Sequence, residues 1–410
     1  MVETFVIVGA GHTAVQAIDS LRRDGFTGRL VLVGDEPYLP YQRPPLSKKF
    51  LAGEQPAERL ALKPAAYYEA AQVELRLGVP AARLVPDRCE LTLADGATLG
   101  YHRLLLATGS TPRPLTVPGH ELGGIHCLRS INDVERIRAE LVPGARVVIV
   151  GGGYIGLEAA ATCRGLGHQV DVLEMTDRVM NRVVAPAVSA FYFAAHTAAG
   201  VRLHTDTQVS SFSARAGDPA RVGSVQTLGG GSYPADVVIV GVGVLPNIAL
   251  AAEAGLACEN GIAVDQHCRT SEPAIYAAGD CTSQTSLRYG RRVRLESVDN
   301  AFEQAKTAAS NMRGVATVHD RVPWFWSDQY DLKLLIVGLN FDYDLVVLRG
   351  DPAVRSFACC YLRGGELLAI DCVNDPKDYM AARKLIAERA HFDPKRLADP
   401  AIALREAALT

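Results

Sequence analysis

The chain has 410 residues, of which 48% are hydrophobic and 21% charged, and its formal net charge at pH 7 is −3. At about 100–200 residues per domain, this length predicts two to four domains of an ordinary globular protein. The slightly negative charge excludes a globally basic protein of the kind that binds nucleic acid or an anionic membrane, so any cationic docking site must be local.

Cysteine spacing and hydropathy bear on metal sites, membrane spans and cellular location. None of the nine cysteine positions forms a CxxC pair or a zinc or iron–sulfur ligand pattern, so we expect no metal site and free thiols in a reducing compartment. No run of about 20 apolar residues lacks Gly, Pro or charge, which predicts no membrane span. The N-terminus enters an apolar strand without the charged region of a signal peptide, so we expect a cytoplasmic protein.

The first strand–glycine loop–helix–strand pattern begins at Phe5. Its loop is Gly9-Ala-Gly11-His-Thr-Ala14, and its second strand is Leu30–Gly34. In such a GxGxxA loop the first glycine permits a tight turn, the second lets backbone approach a pyrophosphate, and the small third residue packs the helix closely. Asp35 follows the second strand, where a carboxylate accepts hydrogen bonds from a ribose, and Glu36 competes for that role. The pattern predicts a dinucleotide site.

The second pattern begins at Val147, after a β-rich stretch with a turn signal at Asp95-Gly96. Its loop is Gly151-Gly-Gly153-Tyr-Ile-Gly156, and its acid is Glu174 at the end of the next strand. Two such loops require two dinucleotides, for which FAD with NAD or NADP is the economical pair. Glu174 favours NAD, because its carboxylate would repel a 2′-phosphate and no arginine follows it immediately.

From Pro323 onward the sequence pattern differs from that of the two strand–glycine loop–helix–strand repeats. Short apolar strands at 334–338, 345–349, 356–362 and 366–373 lead to a helix near 378–389. We predict an α/β fold, in which alternating strands and helices form two Rossmann-like dinucleotide-binding domains, followed by a compact C-terminal α+β domain.

Seven segments carry a resemblance to the FAD-dependent ferredoxin reductase family that extends along essentially the whole chain. They are residues 9–14, 41–48, 107–109, 151–158, 278–280, 296–300 and 323–329. The resemblance implies a glutathione-reductase-like fold. Its implied domains are an FAD-binding domain in two segments, an NAD-binding domain and a C-terminal domain, at residues 1–113 with 245–320, 114–244 and 321–410.

The resemblance also implies the residues that contact each cofactor. For FAD they are Gly9, Gly11, Thr13, Ala14, Asp35, Arg43, Lys48, Val79, Thr108, Gly109, Arg129, Gly279, Asp280, Val298 and Trp326. For NADH they are Gly151, Gly153, Ile155, Gly156, Glu174 and Gly243.

Lys48 and Glu158 are the candidate catalytic residues. The resemblance places Lys48 near the flavin N5–O4 edge, where a cation would stabilise the negative charge that hydride transfer brings; the alternative is a solvated loop lysine. Glu158 either pairs with Lys48 or complements the helix dipole as a first-turn glutamate. Trp326 lies over the flavin by resemblance, or packs in the C-terminal core.

The electron acceptor is predicted from what the chain omits. Disulfide reductases on this scaffold carry a cysteine pair after the FAD loop, whereas residues 36–60 contain no cysteine. Electrons must therefore leave to an external acceptor, which we expect to be a [2Fe–2S] ferredoxin serving a bacterial cytochrome-type monooxygenase or ring-hydroxylating dioxygenase. The alternatives are an NADH oxidase or peroxidase and a redox signalling flavoprotein similar to apoptosis-inducing factor. We expect a monomer.

A cationic segment offers a candidate docking surface for that partner. The segment at residues 287–294 holds four arginines within seven positions, at 288, 291, 292 and 294, in a protein that is slightly negative overall. Such a cluster is either a solvated loop or a surface that steers an acidic ferredoxin. Arg288, Arg291, Arg292 and Arg294 are therefore the predicted partner contacts.

Overall fold

A computed structural model describes residues 2–409, which form two compact units. The first unit contains the chain up to Gln42, Glu58–Thr111 and Leu245–Arg321; the second contains Arg43–Ala57, Pro112–Val244 and the chain from Val322 onward. The boundaries predicted at residues 113, 244 and 320, with the assignment of each segment to one cofactor, stay predictions.

The first unit is built on a five-stranded parallel sheet with Thr4–Val8 at its centre. This central strand is buried along its whole length, as expected for an apolar run in a parallel sheet covered on both faces. The sheet order is Ile275–Ala277, Arg103–Leu106, Thr4–Val8, Arg29–Gly34, Val73–Leu77.

The remaining elements of the first unit are short strands and helices. Two three-stranded sheets contain Ala81–Val85, Glu90–Leu93 and Thr98–Gly100, and Ile262–Val264, Thr282–Ser286 and Arg291–Val293. The α-helices are His12–Arg23, Ala65–Ala70, Ala249–Glu253 and Val298–Met312, and a 3-10 turn covers Pro86–Arg88. The predicted turn at Asp95-Gly96 is confirmed, because it joins two of these strands and Asp95 accepts a hydrogen bond from Ala97 N at 2.9 Å.

The second unit contains a second five-stranded parallel sheet. Its order is Arg202–His204, Gln169–Leu173, Arg146–Val150, Val237–Val240, Ile125–Cys127. A three-stranded antiparallel sheet contains Val209–Arg215, Asp218–Thr227 and Ser232–Pro234, and the helices are Ile131–Glu140, Tyr154–Gly165 and Pro186–Ala198. Two further short strands, Ser110–Pro112 and Val244–Pro246, lie where the chain passes from one unit to the other. The predicted pair of Rossmann-like folds is confirmed.

The C-terminal part of the second unit is a five-stranded antiparallel sheet with helices after it, which confirms the predicted α+β segment. The sheet order is Trp324–Gln329, Leu332–Gly338, Glu366–Val373, Ser356–Arg363, Leu345–Asp351. The helices are Pro376–Ala387, Pro394–Ala398 and Leu404–Ala407, and a 3-10 turn covers Pro352–Val354. Elsewhere in the chain, 3-10 turns cover Pro44–Ser47 and Ala57–Leu60.

The cysteines are free thiols, and six of the nine are buried. Burial raises the pKa of Cys163 and of Cys359 to about 12, so these thiols stay protonated. Over residues 2–409, no cluster of three or more His, Cys, Asp or Glu side chains could hold a metal ion. In the same range, no helix is long and apolar enough to cross a bilayer.

Arg349 ties the C-terminal helices to the antiparallel sheet. Its side chain is buried and donates to Asp378 Oδ2 at 2.5 Å, to the Leu397 and Asp399 carbonyls at 3.0 and 2.6 Å, and to the Ile402 carbonyl at 2.6 Å. Burial raises the pKa of Asp378, and the neighbouring Arg349 guanidinium opposes that rise. One guanidinium therefore donates hydrogen bonds to a buried carboxylate and to three backbone carbonyls at once.

Replacing Arg349 by Met should destabilise the C-terminal part by about 3–5 kcal/mol, because Asp378 and three carbonyls lose their donor. Tryptophan fluorescence during urea unfolding measures this, because Trp324 and Trp326 are the only tryptophans and both lie in the same sheet. Arg355→Met is the control: the pair of Arg355 and Asp331 is exposed, at 49% and 71% of their side chains, so its loss should cost less than about 1 kcal/mol. Equal unfolding midpoints for the two variants would contradict the prediction.

Candidate functional site

The first glycine loop has the steric features of a pyrophosphate site. Gly9 has φ +106°, and a Cβ there would lie 2.1 Å from the Ala107 carbonyl oxygen, so only glycine fits. Gly11 is the N-cap of the helix His12–Arg23, receives no side-chain cap, and has nothing within 4 Å of an added Cβ. The space beside this helix start is therefore open at the Cβ position of Gly11, as an anion site requires. Ala14 is fully buried in the helix–sheet contact.

Both candidate ribose acids lie directly after the strand Arg29–Gly34. Asp35 is exposed, whereas Glu36 is half-buried and accepts a hydrogen bond from the Tyr41 hydroxyl at 2.7 Å. Val79 follows at the same end of the sheet, with its NH donated to the Gly34 carbonyl at 3.1 Å. The exposed carboxylate of Asp35 is better placed to meet a ribose, and its role stays a prediction.

Two amide side chains, the buried Gln304 and the half-buried Asn247, shape the remaining loops of the first unit, and neither was predicted from the sequence. Gln304 Oε1 accepts from Gly279 N at 2.7 Å and from Thr282 Oγ1 at 2.9 Å. A Cβ on Gly279 would lie 2.4 Å from Thr13 Oγ1, so this turn closely approaches the first glycine loop. A polar residue between Ala301, Ala305 and Ala308 on one helix was the available signal for Gln304.

The turn at Thr108 and Gly109 is held by Asn247, which donates to the Thr108 carbonyl at 2.8 Å and, through its NH, to the Gly109 carbonyl at 2.9 Å. Asp280, next to Gly279, accepts a hydrogen bond from Ser110 Oγ at 3.0 Å. Val298 begins the helix that carries Gln304. The structure therefore brings most of the predicted FAD contacts of the first unit to loops at one edge of its parallel sheet.

The second glycine loop repeats the same constraints. A Cβ on Gly151, which has φ +109°, would lie 2.4 Å from the Gly241 carbonyl oxygen, and one on Gly156 would lie 2.1 Å from the Gly151 carbonyl oxygen. Gly153 is the N-cap of the helix Tyr154–Gly165, lacks a side-chain cap, and has nothing within 4 Å of an added Cβ. Ile155 is exposed in the first turn and Gly243 has φ +100°. This loop also fits a pyrophosphate.

Glu174 is fixed beside this second loop. Its Oε2 accepts from Gly152 N at 2.7 Å, and its Oε1 accepts from the NH and hydroxyl of Thr176 at 2.8 and 2.7 Å. Arg178, four residues later, donates to the carbonyls of Val184 and Asn181 at 2.9 Å each. The nearest following arginine is therefore engaged with backbone, while a carboxylate occupies the predicted ribose position.

Lys48 and Glu158 form an ion pair within the second unit, 110 residues apart in sequence. Pro44–Ser47 forms a 3-10 turn with proline in its first positions, and Lys48 follows as its C-cap. Lys48 Nζ lies 2.5 Å from Glu158 Oε2, which also accepts from Ser47 Oγ at 2.6 Å. Glu158 is buried and lies beyond the first turn of its helix. The pairing hypothesis is confirmed, and the alternative of a first-turn glutamate complementing the dipole is wrong.

The other predicted FAD contacts of the second unit are Arg43, Arg129 and Trp326. Arg43 Nη1 donates to the Arg129 carbonyl at 2.8 Å, which ties the Pro-Pro segment to the start of the helix Ile131–Glu140. The Trp324 and Trp326 rings lie 5.5 Å apart and pack against the C-terminal core. Both therefore have a packing role, and contact of Trp326 with the flavin stays a prediction.

The four arginines lie on and beside the hairpin of Thr282–Ser286 and Arg291–Val293, so the predicted loop is partly strand. Arg292 Nε lies 3.3 Å from Glu259 Oε2, and Arg294 forms an ion pair with Glu296. Arg291 is exposed at the start of its strand. The positive charges of Arg292 and Arg294 are thus locally compensated, which reduces the net charge of the predicted docking surface.

Two family models match the chain. The one described as pyridine nucleotide-disulphide oxidoreductase matches residues 3–305, and the one described as reductase C-terminal matches residues 324–408.

Similar proteins cover nearly the whole chain. Putidaredoxin reductase CamA of Pseudomonas putida is 42% identical over 98% of this chain and 96% of its own length. The 5,5′-dehydrodivanillate O-demethylase ferredoxin reductase subunit of Sphingobium sp. is 44% identical over 98% of this chain and 97% of its own length. The solved structure of the covalent putidaredoxin reductase–putidaredoxin complex contains a chain 41% identical, with a TM-score of 0.95 over 99% of this chain and 98% of that one.

Proposed function

The chain belongs to the pyridine nucleotide-disulphide oxidoreductase family, among its FAD-dependent ferredoxin reductases, and we propose that it carries electrons from NADH to a [2Fe–2S] ferredoxin of a bacterial oxygenase system. The overall reaction is NADH plus two oxidised ferredoxins to NAD⁺, one proton and two reduced ferredoxins. Bound FAD supplies the chemistry that converts one hydride into two single electrons.

The observation that carries this proposal is the ion pair between the buried Glu158 carboxylate and the half-buried Lys48, which lies in the segment where disulfide reductases hold their redox cysteines. Residues 36–60 offer a cation and no thiol. A hydride acceptor next to Lys48 would gain a compensating charge, and its electrons would have no thiol to reduce within this segment. An external one-electron carrier follows, and the relatives are named as reductases of such carriers, putidaredoxin and a ferredoxin.

The cofactor preference follows from Glu174. Its carboxylate is held by three hydrogen bonds beside the second glycine loop, so it cannot easily turn away from an added 2′-phosphate. At about 4 Å and an effective dielectric of about 20, two like charges repel by about 4 kcal/mol. We therefore propose NADH rather than NADPH as the electron donor.

The two alternatives differ in the fate of the electrons. An NADH oxidase or peroxidase would pass them to oxygen or peroxide, and a signalling flavoprotein would retain them. Neither requires a ferredoxin. We further propose that the protein acts as a monomer in the cytoplasm.

The defining experiment measures cytochrome c reduction by NADH with and without an added ferredoxin. Rapid reduction should require the ferredoxin, because cytochrome c receives electrons from the iron–sulfur protein. The control replaces ferredoxin by its metal-free form. Rapid NADH oxidation without ferredoxin, with oxygen consumed in equal amount, would instead establish an oxidase.

Replacing Glu174 by Ser and Met175 by Arg should move the preference toward NADPH by about tenfold or more in kcat/KM, since a repulsion is exchanged for an attraction. Stopped-flow reduction by each nucleotide measures the change. Asp177→Ser is the matched control, because Asp177 is exposed three residues away and its loss should leave the NADH preference intact. Equal use of both nucleotides by the wild-type protein would contradict the role of Glu174.

Reversing the charge of Arg291 and Arg292 should raise the apparent KM for ferredoxin and flatten its salt dependence. Opposite charges steer the encounter, and added salt screens them within a Debye length of about 8 Å at physiological ionic strength. Ferredoxin-dependent turnover measures this, while reduction by NADH should not change. The control reverses Arg23 and Arg83, two exposed arginines elsewhere on the same unit. Wild-type ferredoxin kinetics at low salt would place the docking surface elsewhere.

A further inference from the structure

A buried chain of hydrogen bonds leads from Glu158 to the surface within the second unit. The chain, here called the Glu158 chain, contains Ser327, Gln329, His196 and Tyr330. Ser327, Gln329 and His196 are almost completely buried, whereas Tyr330 is 40% exposed. These residues come from the strand Trp324–Gln329, the residue after it, and the helix Pro186–Ala198. None of them is among the predicted cofactor contacts.

Each link has hydrogen-bond geometry. Ser327 Oγ lies 2.7 Å from Glu158 Oε1, and Gln329 Nε2 lies 3.1 Å from Ser327 Oγ. Gln329 Oε1 lies 2.8 Å from His196 Nε2, whose Nδ1 lies 3.2 Å from the Tyr330 hydroxyl. With the Lys48 contact on Oε2, donors therefore reach both oxygens of the Glu158 carboxylate.

The carboxylate sets the direction of every link. An ionised carboxylate only accepts, so Ser327 must donate its single proton to Glu158 and accept from Gln329. Gln329 then turns its NH₂ toward Ser327 and its carbonyl toward His196, which must donate from Nε2. His196 is thereby the tautomer whose Nδ1 accepts from Tyr330. All the donors point inward, toward Glu158.

Two pKa shifts agree with this direction of hydrogen-bond donation. Burial lowers the pKa of His196, which favours the neutral ring that the chain needs. Burial also raises the pKa of Tyr330 to about 12, so its hydroxyl keeps the proton that it donates. The surface end of the chain is therefore a donor throughout the physiological pH range.

The amide of Gln329 distinguishes two possible roles of such a chain, which are proton transfer and a fixed array of dipoles. Proton transfer along it would require the amide to take up a proton on oxygen and lose one from nitrogen, which an ordinary carboxamide does poorly. A fixed array of dipoles requires no transfer, because each donor only adds to the potential at the next acceptor. The chain is thus suited to holding charge in place rather than to conducting protons.

We propose that Ser327, Gln329 and His196 are positioning residues that hold the Glu158 carboxylate, and through it the Lys48 ammonium, for the hydride-transfer step. The proposal rests on the proposed function, in which Lys48 stabilises the charge gained by the hydride acceptor. Ser47 fixes the lysine side of the pair, with its carbonyl held by Thr162 Oγ1 at 2.8 Å. The Glu158 chain fixes the opposite oxygen.

The test compares Ser327→Ala, Ser327→Thr and Gln329→Met in the FAD-bound protein. Ser327→Ala should slow the limiting rate of flavin reduction by about tenfold, the effect of one hydrogen bond to a charged group, while the NADH dissociation constant stays unchanged. Gln329→Met removes the next hydrogen bond of the chain. It should slow the limiting rate of flavin reduction by about threefold, a smaller decrease than in Ser327→Ala. Ser327→Thr keeps the hydroxyl and should restore the rate. Ser356→Ala, an exposed serine of the same sheet, is the control.

The flavin midpoint potential gives a readout that a merely structural role would not move. Photoreduction against a reference dye measures it without NADH. In Lys48→Met the potential should fall, and in Ser327→Ala it should fall in the same direction by less; Lys49→Met, at the exposed neighbouring lysine, should leave it unchanged. If NADH failed to reduce the wild-type protein, the proposed function would be wrong, yet the potentials would still test the Glu158 chain.

Two results would overturn the proposal. One is wild-type rate and potential in both Ser327→Ala and Gln329→Met. The other is a solvent deuterium isotope effect on flavin reduction that disappears in Gln329→Met, because that result would make the chain a proton relay. If Ser327→Ala does not fold, Gln329→Met and Ser327→Thr decide the outcome.

Discussion

The buried carboxylate of Glu158 is the constraint on which the hydrogen bonding between distant parts of the second unit depends. A carboxylate withdrawn from water is stable only with donors on both oxygens, and here Lys48 and Ser47 meet one oxygen while Ser327 meets the other. This requirement joins three distant parts of the sequence: the Pro-Pro segment, the helix after the second glycine loop and the first strand of the C-terminal sheet. The C-terminal sheet thus supplies a hydrogen bond to Glu158 as well as core.

The two glycine loops obey a different, purely steric constraint. In each loop an added Cβ would collide with a carbonyl of a neighbouring strand, while the N-cap glycine faces open space. The backbone must therefore turn sharply and then offer uncapped NH groups to an anion. Because this requirement is local, the same solution appears twice in one chain. The two loops differ in the acid that follows: Asp35 is exposed, whereas Glu174 is held by three hydrogen bonds.

Nearby carboxylates and carbonyls reduce the surface charge of this protein below the charge that its sequence suggests. Four arginines close in sequence suggested a strongly cationic segment, yet Arg292 and Arg294 meet Glu259 and Glu296 in the structure. Arg178 is likewise engaged by backbone carbonyls. Charge counted along a sequence is therefore an upper limit on the charge that a partner meets, because nearby carboxylates and carbonyls are not visible in a linear pattern.

The sequence by itself determined the two dinucleotide loops, the parallel sheets and the C-terminal strands, because hydrophobic periodicity and glycine sterics are local properties. It also indicated Lys48 and Glu158, through resemblance, but left open whether they meet. Only the tertiary structure decided that pairing, and only it revealed Gln304, Asn247 and the Glu158 chain. Those contacts join residues up to 169 positions apart. A polar residue on an apolar helix face, as at Gln304, indicates burial at most. The role of a buried serine, glutamine or histidine depends on which distant donor or acceptor the fold places beside it.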